Sequence, residues 1–184
     1  MNSANFFSFG GNLDQDSIDS VELVKRYAQG ERNFHEIRLN GANLWKINLG
    51  EADLSGADLI GVDLRQANLR GTNLSGANLT GANLHRANLM NSQLILATLR
   101  GANLERVELI QSNLNQADLR WANLSEANLS AADLQQANLD EARLGSAVLR
   151  GANLYRAKLE VSQLEAANVD LTWATMPDGT LYLA

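Results

Sequence analysis

Leucine stands at every fifth position of this chain from Leu39 to Leu164, and Phe34 and Val169 extend the series by one step at each end. A small residue, usually alanine, stands two positions before most of these leucines, and Ile37 and Ile47 are the largest residues at that place. A step of five turns an α-helix by about 500°, so the leucines would circle it instead of forming a stripe. A strand changes face at every odd step, so half of the leucines would point into water. The pattern therefore predicts a backbone that turns after every five residues and directs each leucine towards one interior axis.

Three hydroxyl residues replace the usual alanine at equal spacing, at Thr72, Ser92 and Ser112. They would stack in one interior column if each coil of the chain took 20 residues, so the spacing favours four sides per coil. Asn or Asp commonly stands between the small residue and the leucine. Short side chains of this kind hydrogen-bond the local backbone at turns, so these residues are predicted to be structural.

The stretches ADLSG (52–56), ANLRG (67–71) and ANLTG (77–81) resemble the repeat motif of the pentapeptide repeat proteins. The resemblance covers about residues 32 to 170. It implies an all-β solenoid, a right-handed quadrilateral parallel β-helix of about seven coils. At the ~4.8 Å spacing of paired strands, the stack would be roughly 30 to 35 Å long.

Four segments are predicted: a flexible N-terminal segment (1–16), an N-terminal capping helix (17–31), the pentapeptide-repeat β-helix (32–170) and a C-terminal segment (171–184). Asp19 and Glu22 have the spacing of a capping box at the helix start. The helix face predicted to contact the first coil consists of Ile18, Val21, Val24, Tyr27 and Ala28. The C-terminal segment is predicted either to cap the last coil or to form a dimer contact.

The composition, with 45% hydrophobic and 20% charged residues in 184, indicates one globular domain. The sequence has no cysteine, which excludes disulfides and thiolate chemistry. Its two histidines, His35 and His85, have no partner at metal-ligand spacing, and no phosphate loop or serine elbow occurs. The sequence therefore predicts a protein that is not an enzyme, with no catalytic residue, metal or cofactor.

The net charge of −6 and the pI of about 4.9 argue against direct binding to nucleic acid or to an anionic membrane surface. No stretch approaches the roughly 20 apolar residues that cross a bilayer, and the N-terminus lacks the pattern of a signal peptide. A cytoplasmic location is the expectation.

Stacking at 20-residue intervals predicts two outer features. An apolar patch that could contact a partner consists of Met90, Ile95, Leu96 and Ile110. A basic edge consists of Lys46, Arg65, Arg86 and Arg106. The alternative is a merely solubilising surface with cross-coil ion pairs, Arg106 with Glu126 and Arg120 with Asp140, each worth at most about 1 kcal/mol.

The favoured function is a non-catalytic protein-protein interaction scaffold or regulatory module, as the resemblance to bacterial and especially cyanobacterial pentapeptide repeat proteins implies. Its partner would be another protein, and the C-terminal end could join two copies as a homodimer. The alternative is a DNA mimic that interacts with a topoisomerase such as gyrase, since some family members resemble duplex DNA in width and charge. Mimicry predicts a continuous acidic face, which the basic edge interrupts.

Overall fold

The computed structural model describes residues 18–166 and 168–183, so the predicted flexible segment 1–16 lies outside the described residues. Within these residues the chain forms two helices, α1 (Ser20–Ala28) and α2 (Val161–Ala166). Elsewhere in the described ranges the backbone pairs through single-residue bridges and forms no extended strand. No helix in these ranges has the length and apolar character needed to cross a membrane.

The chain returns to its own backbone every 20 residues. Asn83 pairs in parallel with Asn103, and Asn103 pairs in the same way with Asn123. The offset of 20 holds from Asn33 up to the bridge that ends at Lys158. Four five-residue sides therefore make one coil, which confirms the repeat length predicted from the hydroxyl residues.

Backbone hydrogen bonding explains the Asn or Asp that commonly precedes the leucine. In a regular side, three backbone N–H groups donate to carbonyls of neighbouring coils and one closes the turn. The fifth N–H belongs to the residue after the leucine and has no backbone acceptor. Beside Leu124, for example, the Ser125 N–H donates to Asn123 Oδ1 at 3.2 Å. A short side-chain oxygen thus satisfies the one amide that the coil leaves over.

Each turn places the second residue after the leucine in the left-handed region. Leu104 O accepts from the Val107 N–H at 3.2 Å, and Arg106 between them has φ 57°. A positive φ at the third residue alone identifies a type II turn. Glycine suits this position because it has no Cβ, yet Leu96 and Trp121, each with φ 58°, also occupy it.

The interior consists of the leucine columns and the columns of small residues beside them, nearly all fully buried. Thr72, Ser92 and Ser112 are buried among them, with 0 to 2% of their surface exposed. Each hydroxyl donates to the backbone carbonyl three residues earlier at 2.7 Å. The prediction of an interior hydroxyl column is confirmed, and none of the three hydroxyls is left without an acceptor.

Helix α1 begins as the sequence predicts. Asp19 is its N-cap, and Asp19 Oδ1 accepts from the Glu22 N–H at 2.8 Å. The backbone turns away after the helix at Gly30, where φ is +96°.

The side of α1 that contacts the coils differs in part from the predicted face, of which Ile18 and Tyr27 pack against the core as predicted. Leu23 is fully buried, whereas Val21 and Val24 are 74% and 51% exposed, so their predicted contact with the first coil is wrong. Tyr27 Oη donates to Gly50 O at 2.9 Å. This bond, together with the burial of Leu23, sets the rotation of the helix about its axis.

Helix α2 interrupts the coils inside the range predicted as continuous repeat. Leu164 keeps the five-residue spacing and is buried, but it lies on the helix. The bridge offset then lengthens from 20 to 22, with Val148 paired to Asp170. Leu171 therefore takes the leucine place in the next side, and the prediction that Val169 would take it is wrong.

The C-terminal segment first continues the coil and then folds back. Thr175 still takes part in coil pairing and also forms an antiparallel bridge with Leu181. The Tyr182 N–H donates to Ala174 O at 2.8 Å. Trp173 and Leu183 are 60% and 68% exposed at this end.

Candidate interaction surface

Each coil has four corners, and the side chains exposed there belong to the residue after the leucine and to the left-handed residue that follows. We number the corners 1 to 4 by their first occurrence at residues 35–36, 40–41, 45–46 and 50–51. Every corner recurs after 20 residues, so equivalent side chains one coil apart stack in a column.

The predicted basic edge lies at corner 3 but does not form one column. Lys46, Arg86 and Arg106 occupy the left-handed position, with φ between 57° and 58°. Arg65 occupies the preceding position, and Gln66 stands in the column instead. The prediction of a single stacked edge is therefore wrong for Arg65.

Two of these arginines are neutralised by carboxylates. Arg65 binds both oxygens of Asp63, at 2.8 and 2.6 Å, and these hydrogen bonds lower the pKa of Asp63. Arg106 binds both oxygens of Glu126 on the next coil, at 2.8 and 3.0 Å, which confirms the predicted cross-coil pair. The hydrogen bonds from Arg106 lower the pKa of Glu126. Two of the four cations of the predicted edge are thus paired with carboxylates, whereas the ion pairs among the described side chains do not include Lys46 or Arg86.

The four residues of the predicted apolar patch are distributed over two corners. Met90 and Ile110 stack at corner 4 on consecutive coils, and both are half-buried. Ile95 and Leu96 lie at corner 1, where Ile95 is half-buried and Leu96 is 60% exposed. Leu96 lines a groove that none of the other three lines.

This groove, which we call the Leu96 groove, has a volume of about 450 Å³ and runs along the side between corners 1 and 2. One edge is a single column of left-handed residues, and the facing edge is the column of residues that precede the leucines. The first edge consists of Leu96, Gln116, Gln136 and Arg156, and the second of Asp118, Asn138 and Lys158.

Among these seven residues the sequence predicts only Leu96 as a contact residue. The signal was available, because Gln116, Gln136 and Arg156 follow Leu96 at steps of 20. The facing column gives no such signal, because the Asn and Asp before the leucines are predicted to be structural.

Trp121 stands at corner 2 beside the groove, 52% exposed and in the left-handed region. The guanidinium carbons of Arg100 and Arg120 lie 4.9 and 5.7 Å from its ring centroid. Arg120 also binds both oxygens of Asp118, at 2.8 and 2.6 Å, and these hydrogen bonds lower the pKa of Asp118. The predicted ion pair of Arg120 with Asp140 is therefore wrong.

A second, more apolar groove of about 340 Å³ separates α1 from corner 3. Val21 and Val24 line one wall, and Trp45 and Ile47 line the other. Lys46 Nζ lies 4.2 Å from the centroid of the Trp45 ring.

The two histidines lie apart from each other on the surface. His85 Nδ1 is 4.0 Å from a carboxylate oxygen of Glu105, and His35 Nε2 is 3.7 Å from one of Glu36. The described residues contain no group of three or more acidic or histidine side chains placed to hold a metal ion.

A family model for pentapeptide repeats matches the chain in eight copies, over residues 33–71, 57–94, 67–106, 92–130, 102–140 and 127–160. Comparison with the curated proteins gave no match.

Several solved structures are similar. A pentapeptide repeat protein from Nostoc Pcc 7120 shares 31% identity, with 85% of this chain and 97% of that one covered and a TM-score of 0.41. HetL, a pentapeptide repeat protein involved in heterocyst differentiation regulation from Nostoc sp. strain PCC 7120, shares 29% identity, with coverage of 90% and 100% and a TM-score of 0.25. QnrB1, a plasmid-mediated fluoroquinolone resistance protein, shares 21% identity, with coverage of 78% and 83% and a TM-score of 0.47.

The family model spans most of the chain, and its five-residue unit is the one that makes each side of the coil. The chain belongs to the pentapeptide repeat family.

Proposed function

We propose that this protein is a non-catalytic interaction scaffold that displays side chains at its corners to another protein. The observation that carries the proposal is the state of Leu96 and Trp121, which are 60% and 52% exposed in left-handed backbone. That conformation costs a non-glycine residue roughly 1 to 2 kcal/mol. Because both side chains are more than half exposed, burial of apolar surface offsets little of this cost. Large side chains that the fold neither favours nor buries support a role in binding, where tryptophan is a frequent anchor.

The shape of the coils is the second part of the proposal. We infer that the coils form a right-handed quadrilateral β-helix of about seven coils, with the α1 helix as an N-terminal cap. The 20-residue bridge offset, the four corners per coil and the family support this inference. The absence of cysteine suits a reducing compartment, and we place the protein in the bacterial cytoplasm.

Affinity capture tests the scaffold. The tagged full chain, the double variant Leu96→Ser/Trp121→Ser and a control variant Gln66→Ser/Gln111→Ser would be used as baits in a lysate of the source organism. The control removes two exposed left-handed side chains from corners 3 and 4. A captured protein would be purified and its dissociation constant measured by calorimetry.

We expect the Leu96/Trp121 variant to bind the purified partner at least tenfold more weakly, and the control to bind as the wild type does. Equal binding by all three proteins would contradict the proposal.

A gyrase supercoiling assay separates the scaffold from a DNA mimic, since a scaffold leaves supercoiling unchanged at micromolar protein. The arginines at corners 2 and 3 interrupt any continuous acidic face, and self-association through the C-terminal end stays a prediction of the sequence.

A further inference from the structure

We propose that the Leu96 groove binds a short acidic segment of a protein, about four or five extended residues long, with an apolar side chain at one end and carboxylates at the other. This proposal rests on the proposed function, for which it names the binding site and the chemistry of the partner.

The length of the segment follows from the column that forms the first edge of the groove. Leu96 and Arg156 are three coils apart in that column. At a coil spacing of ~4.8 Å they are separated by about 14 Å. An extended chain advances about 3.3 Å per residue, so four or five residues cover the distance.

The charge of the segment follows from Arg156 and Lys158 at one end of the groove. The ion pairs among the described side chains involve neither residue. The Arg156 guanidinium carbon lies 5.0 Å from the centroid of the Tyr155 ring, which holds the guanidinium against an aromatic face. Two cations at one end of a groove attract carboxylates and form charge-assisted hydrogen bonds with them.

The middle of the groove supplies donors for peptide carbonyls. Asn138 Oδ1 accepts from the Asp140 N–H at 3.1 Å, and Asn138 Nδ2 donates to none of the described residues, so its two hydrogens are available to a ligand. Gln136 faces it from the other edge. At the far end Leu96 presents an aliphatic surface, with Trp121 at the adjoining corner, and these suit an apolar side chain.

A peptide suits this groove better than a nucleic acid. Arg156 and Lys158 are the cations that line the groove, whereas Leu96, Gln116 and Gln136 along its first edge are uncharged. A phosphodiester chain carries a charge at every step along the groove, whereas a peptide can place its carboxylates at Arg156 and Lys158 alone. Leu96 has no counterpart in a phosphate backbone.

Fluorescence anisotropy with synthetic peptides tests the proposal. The probes are fluorescein-labelled Leu-Ser-Ser-Glu-Glu, its counterpart Leu-Ser-Ser-Lys-Lys and a 12-nucleotide single-stranded DNA. The proteins are the full wild-type chain, the variant Arg156→Gln/Lys158→Gln and the control Arg65→Gln/Arg86→Gln, which removes the same charge at corner 3. Circular dichroism and thermal unfolding verify that each variant is folded.

We expect the acidic peptide to bind the wild type and the control equally, and the Arg156/Lys158 variant at least tenfold more weakly. Equal binding of the acidic and basic peptides overturns the proposal, as does an equal loss in the control or tighter binding of the DNA. A captured partner that needs Leu96 and Trp121 but tolerates Arg156→Gln/Lys158→Gln would leave the scaffold function standing and remove this proposal. A partner that tolerates both variants would remove both.

Discussion

Burial in the interior predicts opposite effects of the same substitution on stability at two leucines that are close in sequence. Leu84 lies in the leucine series and has 0% of its surface exposed. Leu96 lies at corner 1, outside the series, and is 60% exposed. We consider the same substitution at both sites, Leu84→Ala and Leu96→Ala, because only the first removes core packing.

The expected loss at Leu84 has two parts. Replacing leucine by alanine removes three buried carbons, and at about 0.8 kcal/mol for each the transfer contribution is about 2.4 kcal/mol. The backbone is tied to the next coil by the Leu84 N–H, which donates to Asn103 O at 2.8 Å. Because such bonds fix the backbone of each coil to the next, the backbone cannot move in to fill the cavity. We therefore expect the free energy of unfolding to fall by about 3 to 5 kcal/mol in total. Leu96→Ala should change the free energy of unfolding by less than about 0.5 kcal/mol.

Urea unfolding monitored by far-UV circular dichroism measures both changes, with the wild type as the reference. An unchanged dependence on urea in the variants shows that the difference in midpoint reports stability. A loss below about 1 kcal/mol for Leu84→Ala, or a loss of similar size at both sites, would refute the assignment of the five-residue series to the core.

Two further predictions concern polar groups. Ser92→Ala should change the free energy of unfolding by less than about 0.5 kcal/mol. The hydroxyl donates to Leu89 O, and in the variant this oxygen still accepts the backbone N–H of residue 92. A loss above about 2 kcal/mol in urea unfolding would contradict this prediction. The hydrogen bonds of Arg120 lower the pKa of Asp118, so the stability that Asp118 contributes is present above its unfolded pKa of about 3.9 and lost as the pH falls through the lower folded value. Asp118→Asn should therefore lose less stability than the wild type between pH 7 and pH 3 in urea titrations, and an equal loss in both proteins would contradict the assignment.

The interior could be predicted from the sequence because burial repeats with the period of the backbone. Any residue such as Leu84 shares its environment with those five positions away, and a single rule covers all of them. The column of Thr72, Ser92 and Ser112 could be found in the same way, since equal spacing alone fixes which residues stack.

The ion pairs could be predicted only in part, because spacing gives the neighbours of a residue and not its position within the turn. Arg120 follows the leucine directly, two residues after Asp118, and it binds that carboxylate. Arg65 occupies the same turn position and binds Asp63 in the same way. Arg106 instead occupies the left-handed position and reaches the next coil. In these three cases the turn position, and not the column alone, decided which carboxylate was bound.

The two helices lie where periodic reasoning ends. The face predicted on α1 includes Val21 and leaves out Leu23, whereas the rotation of the helix fixed by the tertiary bond from Tyr27 to Gly50 buries Leu23 and exposes Val21. Helix α2 buries Leu164 at the position where the series requires a leucine. The leucine spacing therefore continues through an interruption of the coil and gives no sign of it.

The side chains at the corners can vary because the backbone hydrogen bonds and the buried core do not depend on them. The coil and the Asn or Asp side chains take up the backbone amides of a regular side, and the leucines supply the burial, so a corner side chain is restrained chiefly by the left-handed backbone. Polar residues fill most of the left-handed positions that lack glycine. Leu96, Trp121 and Trp173 depart from that rule with large apolar side chains, and the first two do so on adjoining corners, beside a groove with two cations at one end. A shared fold does not transfer a partner from one family member to another. The residues that identify the partner of this chain should therefore be those with large apolar side chains at left-handed positions, where glycine or a polar residue is usual.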